Sequence, residues 1–360
     1  MRNVIPVVLA ALASLAGAAC TPAEEGDESS NESMLVAAPS LGPATVSRWE
    51  AYVERETAGV SLQEGCAPRR FAPRVGVAPR GVVVLFHGFT ACPQQFFEIA
   101  ADLNTAGYDV LLPLLPGHGR QFSVVDGKRK DNIASLPTGA TRERYSQLAE
   151  EMTAIAGEAR YDRVVGGLSM GGMVATSALI QGQNFRGAST SVWTRGILFA
   201  PFFGPPGVSG WASRVGGMMA PGAMRSWGPE CERSTVPGKR AGICEFTLGN
   251  LQAGTSLGED LLRSANTVRV PVQLVGVEAD TAADNGEMAK LVRSLSGKKD
   301  ACFYAKGMPH AFISKNDHFE LDHAWLPALH RGITSFVRNG TPFPTQGLSS
   351  EHGHGLCAPR

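Results

Sequence analysis

From residue 81 onward the chain alternates short apolar runs with segments whose large apolar residues recur at helical spacing. That alternation constrains the fold more than any other feature. Val82 to Phe86 is a continuous β-branched and aromatic run without a polar face, as expected of a strand whose sheet is covered by helices on both sides. Pro93 opens a segment in which Phe96, Ile99, Ala100 and Leu103 recur at helical spacing, and Gly107 ends it. The pattern repeats with a strand at Asp109 to Leu112, a helix at Arg142 to Arg160 built on Leu148, Met152 and Ile155, a strand at Arg163 to Gly166, and a helix from Gly171. Further strands are predicted at Gly196 to Phe199, Val272 to Val277 and Ala301 to Tyr304, with helices at about 285–296 and 322–337. Alternation of this kind gives an α/β fold with a mostly parallel central sheet and helices on both faces.

The rhythm breaks once. Residues 201–265 are rich in Gly, Pro, Met and Trp, among them Pro205, Pro206, Trp211, Met218, Met219 and Trp227, and show no clear strand. They read as a cap insertion above the sheet. Residues 339–360 read as an irregular C-terminal tail that Cys357 can pin. At the other end, Arg2, the apolar run Val4 to Leu15 and the small residues Ala16 to Ala19 have the layout of a signal peptide over residues 1–20. Residues 21–47 carry Glu24, Glu25, Asp27, Glu28 and Glu32 and no base, too polar a composition to fold, and read as a disordered acidic linker. The folded domain is therefore expected at 48–338.

The whole chain carries 33 basic and 33 acidic residues, and the part beyond the linker has a charge of only about +4. Without a sustained Lys/Arg run it offers no footprint for nucleic acid. The lack of a second long apolar stretch excludes a polytopic membrane protein.

Cys20, preceded by small residues, resembles the lipobox cysteine of bacterial lipoproteins, although Gly17 stands where that pattern usually has Leu. The resemblance implies an acylated Cys20 and a membrane-anchored protein, periplasmic or on the cell surface. Cleavage near Ala18, giving a secreted or periplasmic protein, is the alternative. Cys66, Cys92, Cys231, Cys244, Cys302 and Cys357 remain, an even set that points to disulfides in an exported chain. Cys231 and Cys244 are the nearest pair and are expected to form a local bridge. Their spacing misses that of a zinc site, and neither His318 with His323 nor His352 with His354 has helical ligand spacing, so no metal or other cofactor is expected.

Gly167-Leu168-Ser169-Met170-Gly171 fits the Gly-x-Ser-x-Gly elbow, a sharp strand-to-helix turn that lifts a serine hydroxyl above a sheet. Val164 and Val165 supply the strand before it, and Met173, Val174, Ala178 and Leu179 the apolar helix after it. A serine hydroxyl needs a base, and the base needs an orienting acid, in the chain order Ser, acid, His for this kind of fold. His310 is the histidine that directly follows a predicted strand; His318, His323, His330, His352 and His354 sit in or near the terminal helix or tail. The strand Val272 to Val277 leads into Glu278, Asp280 and Asp284, of which Asp280 is closest to the strand-end turn and Asp284 is placed to cap a helix. Two N–H donors for an oxyanion are expected from Met170 and, in the loop after the first parallel strand, from Phe89, where Gly88 permits close backbone approach. His87 reads as a structural histidine beside them.

These pieces, with the Leu115-Pro116-Gly117-His118-Gly119 turn, resemble the α/β-hydrolase family, and within it bacterial carboxylesterases and monoacylglycerol-lipase-like members, over residues 81–338. The resemblance implies a serine hydrolase in which Ser169 is acylated by a small-molecule carboxylic ester, His310 is the base and Asp280 orients it. A peptidase or amidase of the same fold is the rival within enzymes and would need a cap carboxylate such as Glu230, Glu232 or Glu245. A non-catalytic surface lipoprotein that binds its ligand is the rival outside them.

Overall fold

The computed structural model describes residues 39–74, 76–207, 219–226, 242–317, 322–349 and 352–358. The signal-peptide and Cys20 readings and the linker up to residue 38 lie outside the described residues, as do Trp211, Met218, Trp227, Glu230, Cys231, Glu232 and His318.

In chain order the strands are β1 (Arg69–Phe71), β2 (Gly81–Phe86), β3 (Tyr108–Leu112), β4 (Ser123–Val125), β5 (Lys128–Lys130), β6 (Asp162–Leu168) and β7 (Arg195–Phe199). They continue with β8 (Met224–Ser226), β9 (Glu245–Thr247), β10 (Val272–Val277), β11 (Lys299–Tyr304), β12 (Thr345–Leu348) and β13 (Gly355–Cys357). The helices are α1 (Pro43–Thr57), α2 (Phe97–Thr105), α3 (Glu143–Gly157), α4 (Met170–Gln181), α5 (Leu248–Ser264), α6 (Asn285–Ser294) and α7 (Leu326–Asn339). Among the described residues, one sheet runs β1-β3-β2-β6-β7-β10-β11-β13-β12, parallel throughout except where β1 and β12 pair antiparallel at its two edges.

Every strand and helix expected from the apolar rhythm is present. β2, β3 and β10 are buried at every position, the property that gives them unbroken apolar character. α2 packs with α7, while α3, α4, α5 and α6 pack in succession on one another. α4 is buried continuously from Met170 to Leu179, so it has no polar face and serves as a core element that fixes where its first residue sits. On the β1 edge, Arg70 clasps the fully buried Asp109 through two bonds of 2.8 and 2.7 Å, and burial raises the Asp109 carboxyl while Arg70 opposes that rise.

Three expected boundaries differ from the structure. The linker does not run to residue 47: α1 begins at Pro43, Leu41, Trp49 and Tyr52 are buried, and the Tyr52 hydroxyl donates to Leu114 O at 3.1 Å and accepts from Leu114 N at 3.0 Å. α1 buries little beyond these side chains, so its apolar period is faint. The cap segment 201–265, expected to show no clear strand, contains the β8–β9 hairpin as well as the 17-residue α5. The buried face of α5 is made of Gly249, Asn250, Ala253, Gly254, Thr255, Ser256 and Gly258 with only Leu257 and Leu261 as large apolar residues, so close packing rather than hydrophobicity marks it. The C-terminal segment 339–360 is likewise not an irregular tail: β13 joins the sheet beside β11, and β12 pairs with β13.

Disulfides join Cys66 to Cys92 and Cys302 to Cys357. Cys244 is also disulfide-bonded, and its expected partner Cys231 lies outside the described residues. Among the described residues no helix is long and apolar enough to cross a membrane.

Candidate active site

β6 ends at Leu168 and α4 begins at Met170, so Ser169 alone makes the turn, with φ 55° and ψ −120°. That is an unfavourable conformation for a residue with a Cβ, and it persists because the surroundings over-determine it. Ser169 N donates to Phe199 O at 2.9 Å, while Ser169 O accepts from Phe202 N at 2.9 Å and Met173 N at 3.1 Å. A Cβ at Gly171 would strike the carbonyl oxygens of Phe86 and His87, so only glycine lets α4 start this close to the end of β2. The next two strands end in the same way, with Ala200 after β7 at φ 36° and Ala279 after β10 at φ 51°.

Asp280 follows Ala279. Its Oδ1 accepts from Ala282 N at 2.8 Å and Ala283 N at 3.1 Å, and its Oδ2 lies 2.7 Å from His310 Nδ1. Because a carboxylate only accepts, Nδ1 carries the imidazole proton and Nε2 carries the lone pair. Nε2 is buried and has no hydrogen-bond partner among the described residues. The other two acids are engaged elsewhere: Asp284 caps α6 by accepting from Glu287 N at 3.0 Å, and Glu278 accepts from Ser349 Oγ at 2.8 Å. Phe312, two residues past His310, packs its ring on that of Phe199, whose carbonyl holds Ser169 N. The structure thus pairs Asp280 with His310 and places Ser169 just past the carboxyl end of β6, Asp280 past that of β10 and His310 in the segment after β11, with no hydrogen bond from His310 Nε2 to Ser169. His330 instead pairs with Asp102 at 2.8 Å and His354 stacks on Phe303, away from this cluster.

The loop after β2 forms the opposite wall. A Cβ placed on Gly88 would lie 3.7 Å from Ser169 Cβ, which measures how closely this loop passes the serine. Leu115 N donates to His87 Nε2 at 3.0 Å, which leaves Nδ1 as the protonated nitrogen, 2.8 Å from Gly88 O. Gly88 O also accepts from Ala91 N at 3.1 Å. Gly88 O and Phe89 N–H belong to one planar trans peptide and point in opposite directions. Fixing the carbonyl from two sides therefore fixes the direction of Phe89 N–H. His87 is completely buried, and desolvation, aided by His118, pushes its pKa well below the ordinary value, consistent with a neutral structural ring. Met170 N is among the first-turn amides of α4, since the earliest helical bond runs from Met173 N to Ser169 O.

Aromatic rings close over this loop. Phe89 packs edge-on against His118 at 5.4 Å and against Phe246 of β9 at 5.5 Å. Glu245, the one of Glu230, Glu232 and Glu245 that lies among the described residues, bonds Lys130 Nζ at 3.1 Å and Asp131 N at 3.2 Å, so its carboxylate is committed to the β4–β5 hairpin. No group of three His, Cys, Asp or Glu among the described residues has the arrangement of a metal site. Two polar residues tied to this loop carry no local signal in the sequence: Gln95 accepts from Gly88 N at 2.8 Å and donates to Asp317 Oδ2 at 2.9 Å, a partner 222 positions away.

Residues 77–230 match the family described as serine aminopeptidase, S33, a hydrolase family. The fold is similar to that of a monoacylglycerol lipase from Paleococcus ferrophilus, with TM-score 0.55 and 18% identity over 76% of this chain and 98% of that one. It is also similar to that of the metagenome-derived lipolytic enzymes LipS and LipT, with TM-score 0.51 and 17% identity over 77% of this chain and 99% of that one. A soluble variant of monoglyceride lipase from Saccharomyces cerevisiae aligns with TM-score 0.50 and 15% identity over 79% and 96% of the two chains. No curated protein sequence matches the chain. The sheet order, the elbow and the similar structures together give the chain the α/β-hydrolase fold, and residues 77–230 within it match a hydrolase family.

Proposed function

We propose that the protein cleaves carboxylic esters through an acyl-enzyme on Ser169, with His310 as general base, Asp280 as its orienter, and the N–H groups of Phe89 and Met170 as the oxyanion hole. The observation that carries this reading is the His310 Nδ1 to Asp280 Oδ2 bond of 2.7 Å, which leaves Nε2 as the unprotonated nitrogen, buried and without a hydrogen-bond partner among the described residues. In the acylation step Nε2 takes the Ser169 proton as Oγ attacks the ester carbonyl, and Asp280 stabilises the imidazolium without itself taking the proton. The carbonyl oxygen becomes an oxyanion facing Phe89 N–H and Met170 N–H. Collapse expels the alcohol, which receives the proton from Nε2. Water then attacks the acyl carbonyl as Nε2 takes one of its protons, and collapse breaks the bond to Oγ, which receives that proton from Nε2 as the acid leaves.

The lipases among the similar folds support an ester substrate. The family described as serine aminopeptidase supports the rival reading of amide cleavage. Glu245 does not favour that rival, because its carboxylate is paired with Lys130, and Glu230 and Glu232 lie outside the described residues. Export is part of the same reading: buried disulfides at Cys66–Cys92 and Cys302–Cys357 fit an oxidising compartment, and acylated Cys20 would hold the protein at a membrane.

The test is covalent labelling by a fluorophosphonate together with turnover of short acyl esters and aminoacyl amides. Wild type should be labelled on Ser169 and should favour esters, and Ser169→Ala should be unlabelled. A Ser169→Ala variant that keeps more than about a tenth of the wild-type kcat would overturn the mechanism, since loss of such a nucleophile typically costs about 10⁶-fold.

A further inference from the structure

We propose that Gln95 is a positioning residue for the oxyanion loop and acts as a strut between that loop and the segment that follows His310. The inference rests on the reading of Phe89 N–H as an oxyanion donor. Gln95 sits in the 3₁₀ turn Pro93–Phe96, just ahead of α2, and is only 5% exposed. Its amide spends both ends. Oε1 takes the N–H of Gly88, and Nε2 gives to Asp317 in the 3₁₀ turn Lys315–Asp317, seven residues beyond His310.

The geometry gives the strut a specific purpose. The Gly88 carbonyl is already fixed by His87 Nδ1 and Ala91 N. Those bonds set the tilt of the Gly88–Phe89 peptide but do not hold the residue before it from sliding away from Ser169. Gln95 bonds that other side of Gly88, so the glycine is held at its N–H and at its C=O. The far end of the same side chain holds the His310 segment, whose own backbone closures are long, Met308 N to Ala305 O and Asp317 N to Ser314 O both at 3.4 Å. One buried amide thus ties the donor wall directly to the segment that follows the base, beside the contacts that His310 makes with Asp280 and Phe312 makes with Phe199. A displacement of about 1 Å in such a place can cost about 10²-fold in rate without loss of substrate binding.

The bond directions supply the experiment. Gln95→Glu keeps the acceptor for Gly88 N but sets a second carboxylate against Asp317, so the strut fails. Gln95→Glu combined with Asp317→Asn restores it with donor and acceptor exchanged, and the pair again holds one carboxylate in total, as in wild type. Measured on the full chain with a short acyl ester, Gln95→Glu should lower kcat about 10- to 100-fold with KM within about threefold, the split expected when only the transition state loses support. Asp317→Asn alone, which can still accept from Gln95, should stay near wild type. The double variant should return to within about threefold of the wild-type kcat. A Gln95→Glu enzyme with wild-type kcat, or a double variant no faster than Gln95→Glu, overturns the strut. If Gln95→Glu does not accumulate as folded protein, Gln95→Met replaces it: a similar volume without either hydrogen bond should show the same drop in kcat, and wild-type kcat in that variant overturns the proposal. Absence of fluorophosphonate labelling in wild type would instead bring down the proposed function, and the two failures are thereby told apart.

Discussion

The serine side and the histidine side of the cleft are built on different principles. Ser169 is held by backbone: three main-chain hydrogen bonds of 2.9 to 3.1 Å, a strained φ and a helix start where a Cβ on Gly171 would strike the carbonyl oxygens of Phe86 and His87. His310 is held by side chains: the Asp280 carboxylate, the Phe312 ring, and Trp325 Nε1 bonded to Phe312 O at 2.8 Å. The contrast teaches that the serine is set by the core of the sheet, while the histidine is set by a loop that a few side-chain contacts align. Damage to the first should be felt as strain and stability, and damage to the second as lost alignment.

The largest expected effect tests whether the two sides form one unit. His310→Ala should lower kcat for ester hydrolysis about as much as Ser169→Ala, about 10⁶-fold, and the double variant should lose little more than either alone. Losses that multiply would mean the two residues act separately. A smaller effect is expected from the support of the base. Asp280→Asn should cost about 10⁴-fold in kcat because an amide can hold the imidazole in the wrong tautomer. Asp284→Asn, at a helix cap that Asn fills well, should leave kcat within about threefold. The reverse ranking would move the orienting role to Asp284. The smallest effect concerns strain on the serine side. Ser169→Gly and Ser169→Ala should both be inactive, yet Ser169→Gly should be the more stable by about 1 kcal/mol, because glycine adopts φ 55° without the Cβ penalty. Equal melting temperatures would mean that the elbow stores no strain.

The parts of the molecule legible in the sequence are those where burial leaves a periodic trace. β2 and β10, buried at every position, read as unbroken apolar runs, and the elbow reads through its glycines because backbone contact forbids anything larger. Asp280 and His310 were legible as strand-end residues in the required order. The structure adds to that reading the bond between them, and the separate commitments of Asp284 and Glu278. What stayed hidden has a common physical cause. α5 packs through small residues, β12 and β13 are too short for alternation, and the Gln95–Asp317 contact spans 222 positions, so none of them imprints a local pattern. The pairing of Cys66 with Cys92 and Cys302 with Cys357 is likewise a matter of spatial proximity, the partners standing 26 and 55 positions apart in the chain.

The Cys302–Cys357 bridge also bears on how the molecule stays apart from its neighbours. It fastens β13 alongside β11 through a pairing of only two registered residue pairs, and the closed loop of about 55 residues is worth about 4 kcal/mol in the chain-entropy view. Reduction would let that short strand leave. β11 would then become an uncovered edge carrying Cys302, Phe303 and Tyr304, a row of unpaired amides and carbonyls beside large apolar side chains. Such an edge is a template for pairing with the same edge of another molecule. The bridge therefore acts as a guard against self-association as much as a source of stability, and a reducing environment would expose the protein first to aggregation at this margin of the sheet.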